Sequence, residues 1–226
     1  MASVHTGHRQ RVKEEFLARG LEGIPDHRVL ELLLFYANPR GDVNPLAHEL
    51  LEHFGSLSAV FQAPYEELIK IKGVGQNAAV LIQLIPAIGG RYLADRVSLS
   101  GQMVSAREYY EVFAPYFFGA RVEHCYLLCL DGKSKVISCR KVGEGVVDEV
   151  PVISRKVVEL ALGSNASRVV LAHNHVSGVA KPSPADIQLT QRLKKLLAEV
   201  NVMLVDHLVI VDGDMVSLAE SGYLNI

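Results

Sequence analysis

The run SRVVLAHNH, residues 167 to 175, constrains the fold of this chain more than any other stretch. It is rich in valine and leucine, which favour a β-strand, and a different periodicity flanks it on each side. Before it, SRKVVELALGSNA reads as a helix stopping at Gly163. After it, SPADIQLTQRLKKLLAEV reads as a helix with apolar positions at Ile187, Leu189, Leu193, Leu196 and Leu197. Upstream, SAREYYEVFAPYFF opens with a Ser105-x-x-Glu108 capping box, and EHCYLLCLDGKSKVISCRKVGEG predicts two strands around an Asp131-Gly132 turn. The segment VMLVDHLVIVDGDMVSL predicts a closing hairpin around Asp212-Gly213 or Gly213-Asp214. Strands interleaved with helices in this way define a mixed α/β domain, a central sheet flanked by helices.

Residues 8 to about 96 carry a different pattern and read as a small all-α domain. In HRVLELLLFYA the apolar face gathers Val29, Leu30, Leu33 and Leu34, with Asp26 placed to cap the start. NPRGDVNP separates this helix from LAHELLEHFG, which stops at Gly55. Further on, Gly73-Val74-Gly75 lies between two helical patterns, where two glycines permit a tight turn and leave the next helix's first amides open to an anion. This resembles the helix-hairpin-helix motif, whose turn holds a DNA phosphate, and Lys70, Lys72 and Arg91 are cations nearby in sequence. The glycines equally serve close packing of two helices, and both readings stand. The polar segment ADRVSLSGQMVS reads as a linker, dividing the chain into domains 1–98 and 99–226.

The charge balance excludes a global electrostatic attraction to nucleic acid or an anionic membrane. The formal net charge is −2, and neither side of residue 98 carries a basic excess. The N-terminal stretch lacks the apolar core of a secretory signal, and no run approaches a membrane span, so the expected location is the cytoplasm. Cys125, Cys129 and Cys139 lie in or beside apolar strand-like segments without CxxC spacing and read as buried, reduced thiols.

Chemistry concentrates around the end of the 167–175 strand. On a strand, residues i and i+2 share a face, so His173 and His175 can present both imidazoles to one point while Asn174 points away. Eight residues after His175 comes Ser183, and three later Asp186, in the first turn of the next helix. Two neutral nitrogens and a carboxylate suit Zn²⁺ and leave a fourth tetrahedral position open, the mark of a catalytic rather than a structural site. Ser183-Pro184-Ala185-Asp186 is also a good helix start without any metal: serine at the N-cap, proline at N1 and an acid at N3. Capping explains Ser183 and Asp186 but not the paired histidines.

The pattern His173-x-His175, seven residues, Ser183, two residues, Asp186 resembles the JAMM (MPN+) metalloprotease motif. AHNHVSG, PSPADIQLTQRL and VDHLVIVDG are similar to the RadC branch of that superfamily, whose members also carry a helical region before the JAMM domain. The resemblance implies that His173, His175 and Asp186 bind one zinc, with water as fourth ligand. It implies that Ser183 supports the water or the oxyanion, and that a glutamate at the start of an early strand is the general base. Glu123 fits that place, with Glu144 and Glu149 as weaker alternatives. The sequence departs from the RadC pattern at Val176, where proline is usual, and near Val179-Ala180, which weakens the loop's restraint. Asp206-His207 recurs in the RadC pattern; on a strand the two point to opposite faces, so His207 suits a supporting role rather than ligation. Asn174 and Ser177 are further polar groups that could orient the loop or a substrate.

The function implied is a zinc-dependent metallohydrolase acting on a peptide or isopeptide bond. A DNA-associated protein working through the Gly73–Gly75 turn with Lys70 and Lys72, in repair or mobile-element function, is the alternative. A non-catalytic scaffold is disfavoured because every ligand position keeps its residue type.

Overall fold

The computed structural model describes residues 7–96, 101–145 and 150–224 of the 226-residue chain. It divides into two compact units, Met1–Gly89 and Gly90–Ile226.

The first unit is helical: α1 (His8–Arg19), α2 (Asp26–Ala37), α3 (Asn44–Phe54), α4 (Leu57–Gln62), the single turn α5 (Tyr65–Leu68), and the beginning of α6 (Gln76–Arg96). Its core joins Leu30, Leu34 and Phe35 of α2 to Leu46, Ala47 and Leu50 of α3, and to Val60, Leu68, Ala79 and Ile82. The buried face of α2 is rotated from the expected one: Val29 and Leu33 are only half-buried, while Phe35 and Glu31 are inside. Glu31 is admitted because His8 Nε2 meets its Oε1 at 2.8 Å. Asp26 does not cap α2. Pro25 stands at the N-cap, and Asp26 lies inside the first turn, where its charge suits the helix dipole. Gly55 ends α3 as expected. At the Gly73–Gly75 turn, Gly73 takes φ +99°, close against the Leu46 side chain, and its carbonyl accepts from Asn38 Nδ2 at 3.1 Å. Lys70 is tied to Glu67 at 2.6 Å.

The second unit is the mixed α/β body that the alternating patterns predict. A 3₁₀ turn, Ala106–Glu108, leads into α7 (Tyr109–Phe117), and the Ser105–Glu108 capping box is formed, with Ser105 N donating to Glu108 Oε2 at 2.8 Å. Then come β1 (His124–Leu130), β2 (Val136–Glu144), α8 (Val150–Gly163), β3 (Arg168–Asn174), α9 (Pro184–Glu199), β4 (Met203–Val211) and β5 (Asp214–Ser217). The β1–β2 turn is longer than the two-residue form. Residues 131–135 span it, and Asp131 Oδ1 accepts from the amides of Lys133 and Lys135. The β4–β5 turn is the short one, at Asp212-Gly213. The expected linker begins inside α6, which continues to Arg96; residues 97–100 lie outside the described residues.

The sheet order is β2-β1-β3-β4-β5, with β3 and β4 parallel and every other pairing antiparallel. Parallel pairing requires a crossover, which α9 supplies. Val169 and Leu171 of β3 pack with Val157 and Ala161 of α8 and with Leu189, Leu193 and Leu197 of α9. On the opposite face, Val170 and Ala172 pack with Tyr109, Val112, Phe113 and Phe117. Strand β3 is therefore buried on both sides, which accounts for its unbroken apolar run.

Among the described residues, no helix is long and apolar enough to cross a membrane. All three cysteines are free thiols; Cys125 and Cys129 are buried and Cys139 half-buried. Burial pushes the Cys125 and Cys139 thiols up to about 12.

Two measurements check this packing. Leu171→Ala empties a fully buried position at the centre of the sheet and should cost about 2–5 kcal/mol, read from the urea midpoint. At about pH 8, a thiol reagent should leave Cys125 and Cys129 unmodified in the native protein and label all three cysteines once it is denatured.

Candidate metal centre

Because Val169 and Leu171 face α9, the two-residue period of the strand carries His173 to the same side and turns Asn174 to the other. His175 lies one residue past β3, and its amide still bonds to Ile210 O at 3.0 Å, which holds it against β4. From the helix side, Ser183 and Asp186 cap each other reciprocally. Ser183 N and Oγ donate to Asp186 Oδ2 at 2.7 and 2.6 Å, and the Asp186 amide donates to Ser183 Oγ at 3.2 Å. That double hold turns the carboxylate back toward β3.

The three groups meet. His173 Nε2 lies 3.0 Å from His175 Nε2 and 3.2 Å from Asp186 Oδ1, and His175 Nε2 lies 3.5 Å from Asp186 Oδ2. Zinc bonds of 2.0–2.2 Å in tetrahedral geometry put neighbouring ligand atoms about 3.3 Å apart, so this triangle fits such an ion. His173 and Asp186 are buried and His175 half-buried, leaving the triangle open on one side. Burial by itself would raise the Asp186 carboxyl. The hydrogen bond and charge of His173, with the two bonds from Ser183, outweigh it and hold the group well below the usual carboxylate range. The donor set is therefore anionic and chemically suited to a divalent cation.

Each histidine is also gripped at its other nitrogen. His175 Nδ1 meets Val179 O at 3.1 Å. His173 Nδ1 meets His207 Nε2 at 2.9 Å, His207 Nδ1 meets Thr190 Oγ1 at 2.6 Å, and Thr190 Oγ1 donates to Asp186 O at 2.6 Å. His207 is fully buried, and burial, reinforced by His173, pushes its pKa far down.

His207 reaches the site through a shift in β4. Val169 pairs with Leu204 but Val170 with Asp206, so Val205 is an extra residue. Leu208 and Ile210 face α7, which leaves His207 on the α9 side, as a bulge re-aims a side chain. Asp206 takes the other side and anchors the C-terminal turn: Oδ2 accepts from Ser217 Oγ at 2.6 Å and Oδ1 from Ala219 N at 3.0 Å. Burial nonetheless raises the Asp206 carboxyl, against these bonds.

Glu123 immediately precedes β1. Cys125 pairs with His173 across the antiparallel β1–β3 ladder, so Glu123, two residues earlier, shares the face of the histidines and continues the register opposite His175. The residue is half-buried, and its carboxylate has no partner among the described residues. Its backbone is held on both sides by Asn174, whose Oδ1 accepts from His124 N at 2.6 Å and whose Nδ2 donates to Val122 O at 3.2 Å. Of the alternatives, Glu144 is engaged by Lys141 Nζ at 2.6 Å, and Glu149 lies outside the described residues. The Ser183 hydroxyl hydrogen is committed to Asp186. Val176, Ser177 and Val179 are exposed in the intervening loop, where Gly178 takes φ +74°. Because His175 is held by a carbonyl, the departure at Val179 leaves that contact intact.

Sequence reasoning did not find Thr190 or the Asn174 clamp. Thr190 was visible as the residue four after Asp186 on one helix face; the clamp required the strand register.

Two histidines from the end of a strand and a carboxylate from the following crossover helix form a group that could hold a metal ion. Residues 103–223 match the family described as RadC-like JAB domain. A UPF0758 protein of Ruegeria pomeroyi is 36% identical over 225 residues, covering 99% of this chain and 100% of its own length. A UPF0758 protein of Rhodobacter capsulatus is 37% identical over 213 residues (94% and 100%), and one of Vibrio atlanticus 35% over 212 (94% and 95%). The chain belongs to the RadC-like JAB domain family.

The Asn174 clamp yields a direct expectation. Asn174→Ala removes both bonds flanking Glu123 and should lower stability by about 1–3 kcal/mol, measured by urea denaturation of the metal-free protein.

Proposed function

We infer that the chain is a zinc-dependent metallohydrolase that cleaves an amide, either a peptide or an isopeptide bond. The observation that supports this most is the triangle of His173 Nε2, His175 Nε2 and the Asp186 carboxylate, with edges of 3.0–3.5 Å and the second nitrogen of each histidine already engaged. Zinc bound there would lower the pKa of a coordinated water and polarise an amide carbonyl.

The chain's own residues do the rest. His173, His175 and Asp186 would hold the ion, the first and last of them buried. Glu123, held on the same face by Asn174 and free of any partner among the described residues, accepts a proton from the attacking water. As the new carbon–oxygen bond forms and the carbon–nitrogen bond breaks, its carboxyl returns the proton to the leaving nitrogen. Ser183 turns its hydroxyl from Asp186 Oδ2 to the developing oxyanion, while its backbone N–H keeps the carboxylate in place. DNA contact through the Gly73–Gly75 turn has weaker support, since Lys70 is already paired with Glu67.

Purified wild-type protein should carry about one zinc per chain and His173→Ala/His175→Ala none; equal metal in both would remove the site. Glu123→Gln should keep the zinc and lose about 10²–10⁴-fold in hydrolysis of a peptide or isopeptide substrate. Full activity in that variant would end the general-base assignment.

A further inference from the structure

The buried chain that leaves His173 on the side away from the metal triangle terminates at a backbone carbonyl, and that end point dictates the direction of every hydrogen bond in it. Thr190 Oγ1 lies 2.6 Å from Asp186 O and 2.6 Å from His207 Nδ1. A carbonyl oxygen can only accept, and a threonine has one hydroxyl hydrogen, so the hydrogen goes to Asp186 O. Thr190 Oγ1 must then accept from His207, which places a proton on His207 Nδ1.

His207 is fully buried, and among the described residues its ring nitrogens meet only His173 Nδ1 and Thr190 Oγ1. A neutral imidazole carries a single N–H, and with that one on Nδ1 the other nitrogen, Nε2, is bare. That bare nitrogen is 2.9 Å from His173 Nδ1, which must therefore be the protonated one. A histidine with its proton on Nδ1 offers Nε2 to a metal, and His173 Nε2 is the atom that faces His175 and Asp186. Reversing the chain sets two acceptors, Thr190 Oγ1 and Asp186 O, face to face at 2.6 Å with no hydrogen between them.

We propose that Thr190 and His207 are positioning residues that lock His173 in the tautomer able to bind metal, with the backbone carbonyl of Asp186 setting the direction of the lock. The relay rests on the reading of His173, His175 and Asp186 as a metal site. It joins two of those ligands: the first turn of α9 that carries the Asp186 carboxylate also fixes, through its carbonyl, which nitrogen of His173 is available. Its histidine-to-threonine route replaces the carboxylate or carbonyl that usually orients a metal-binding histidine.

The test uses the full chain. In ¹⁵N-histidine-labelled protein, long-range proton–nitrogen correlation spectra of the metal-free form should show His207 with Nδ1 protonated and Nε2 bare; the opposite tautomer overturns the relay. In zinc titrations against a chromophoric chelator, Thr190→Val should bind zinc about 10–100-fold more weakly than wild type, and Thr190→Ser, which keeps the hydroxyl, should stay within about threefold. Wild-type zinc affinity in a folded Thr190→Val protein also overturns it. Should the valine variant fail to fold, the wild-type tautomer decides. If wild type binds no zinc, the functional reading fails, and the His207 tautomer still supports or refutes the relay.

Discussion

The reciprocal cap between Ser183 and Asp186 is the interaction on which the rest of the site depends. A carboxylate at N3 of an exposed helix is free to rotate into water. Here Ser183 N and Oγ both hold Oδ2, and Oδ1 is left for His173. The position of the helix is fixed elsewhere, by Leu189, Leu193 and Leu197 packed over β3. Apolar burial thus sets the distance between strand and helix, and the cap sets the angle of the carboxylate. Placing His173, Asp186, Thr190 and His207 in such an interior is costly unless every polar atom is paired, and these side chains satisfy one another.

Asp206 and His207 show how one irregularity in a strand serves two ends. The extra residue at Val205 resets the alternation, so the aspartate faces α7 and the histidine faces α9. Asp206 ties down Ser217 and Ala219, which fastens the C-terminal turn to β4. The same strand then presents His207 to His173 without freedom to slide.

The mixed α/β architecture was legible because the apolar periods change cleanly along the second half, and the doubly buried β3 leaves an unbroken run of Val169, Val170 and Leu171. His173, His175 and Asp186 were legible because a period of two and a helix start are local patterns, and the geometry brings these three together as the spacing suggests. What was hidden depends on partners distant in sequence. No local rule says that Val205 is a bulge, or that Asn174 reaches across to Val122 and His124. Glu31 looked like a solvated acid in an amphipathic helix until His8, 23 residues earlier, supplied its partner. Asp26 resembled a cap because aspartate often is one, yet Pro25 already occupied that place with an extended backbone.

The loop from Val176 to Pro182 grips His175 through a main-chain oxygen, and among its exposed members Val176, Ser177 and Val179 contribute nothing to that grip through their side chains. Holding an imidazole by main chain separates two demands that usually compete, the orientation of the ring and the chemistry of the surface above it. The outward side chains of this loop can be exchanged while the imidazole beneath keeps its orientation. The valine at position 176 is one of those outward side chains. It sits where the chain meets its surroundings, not where the imidazole is gripped.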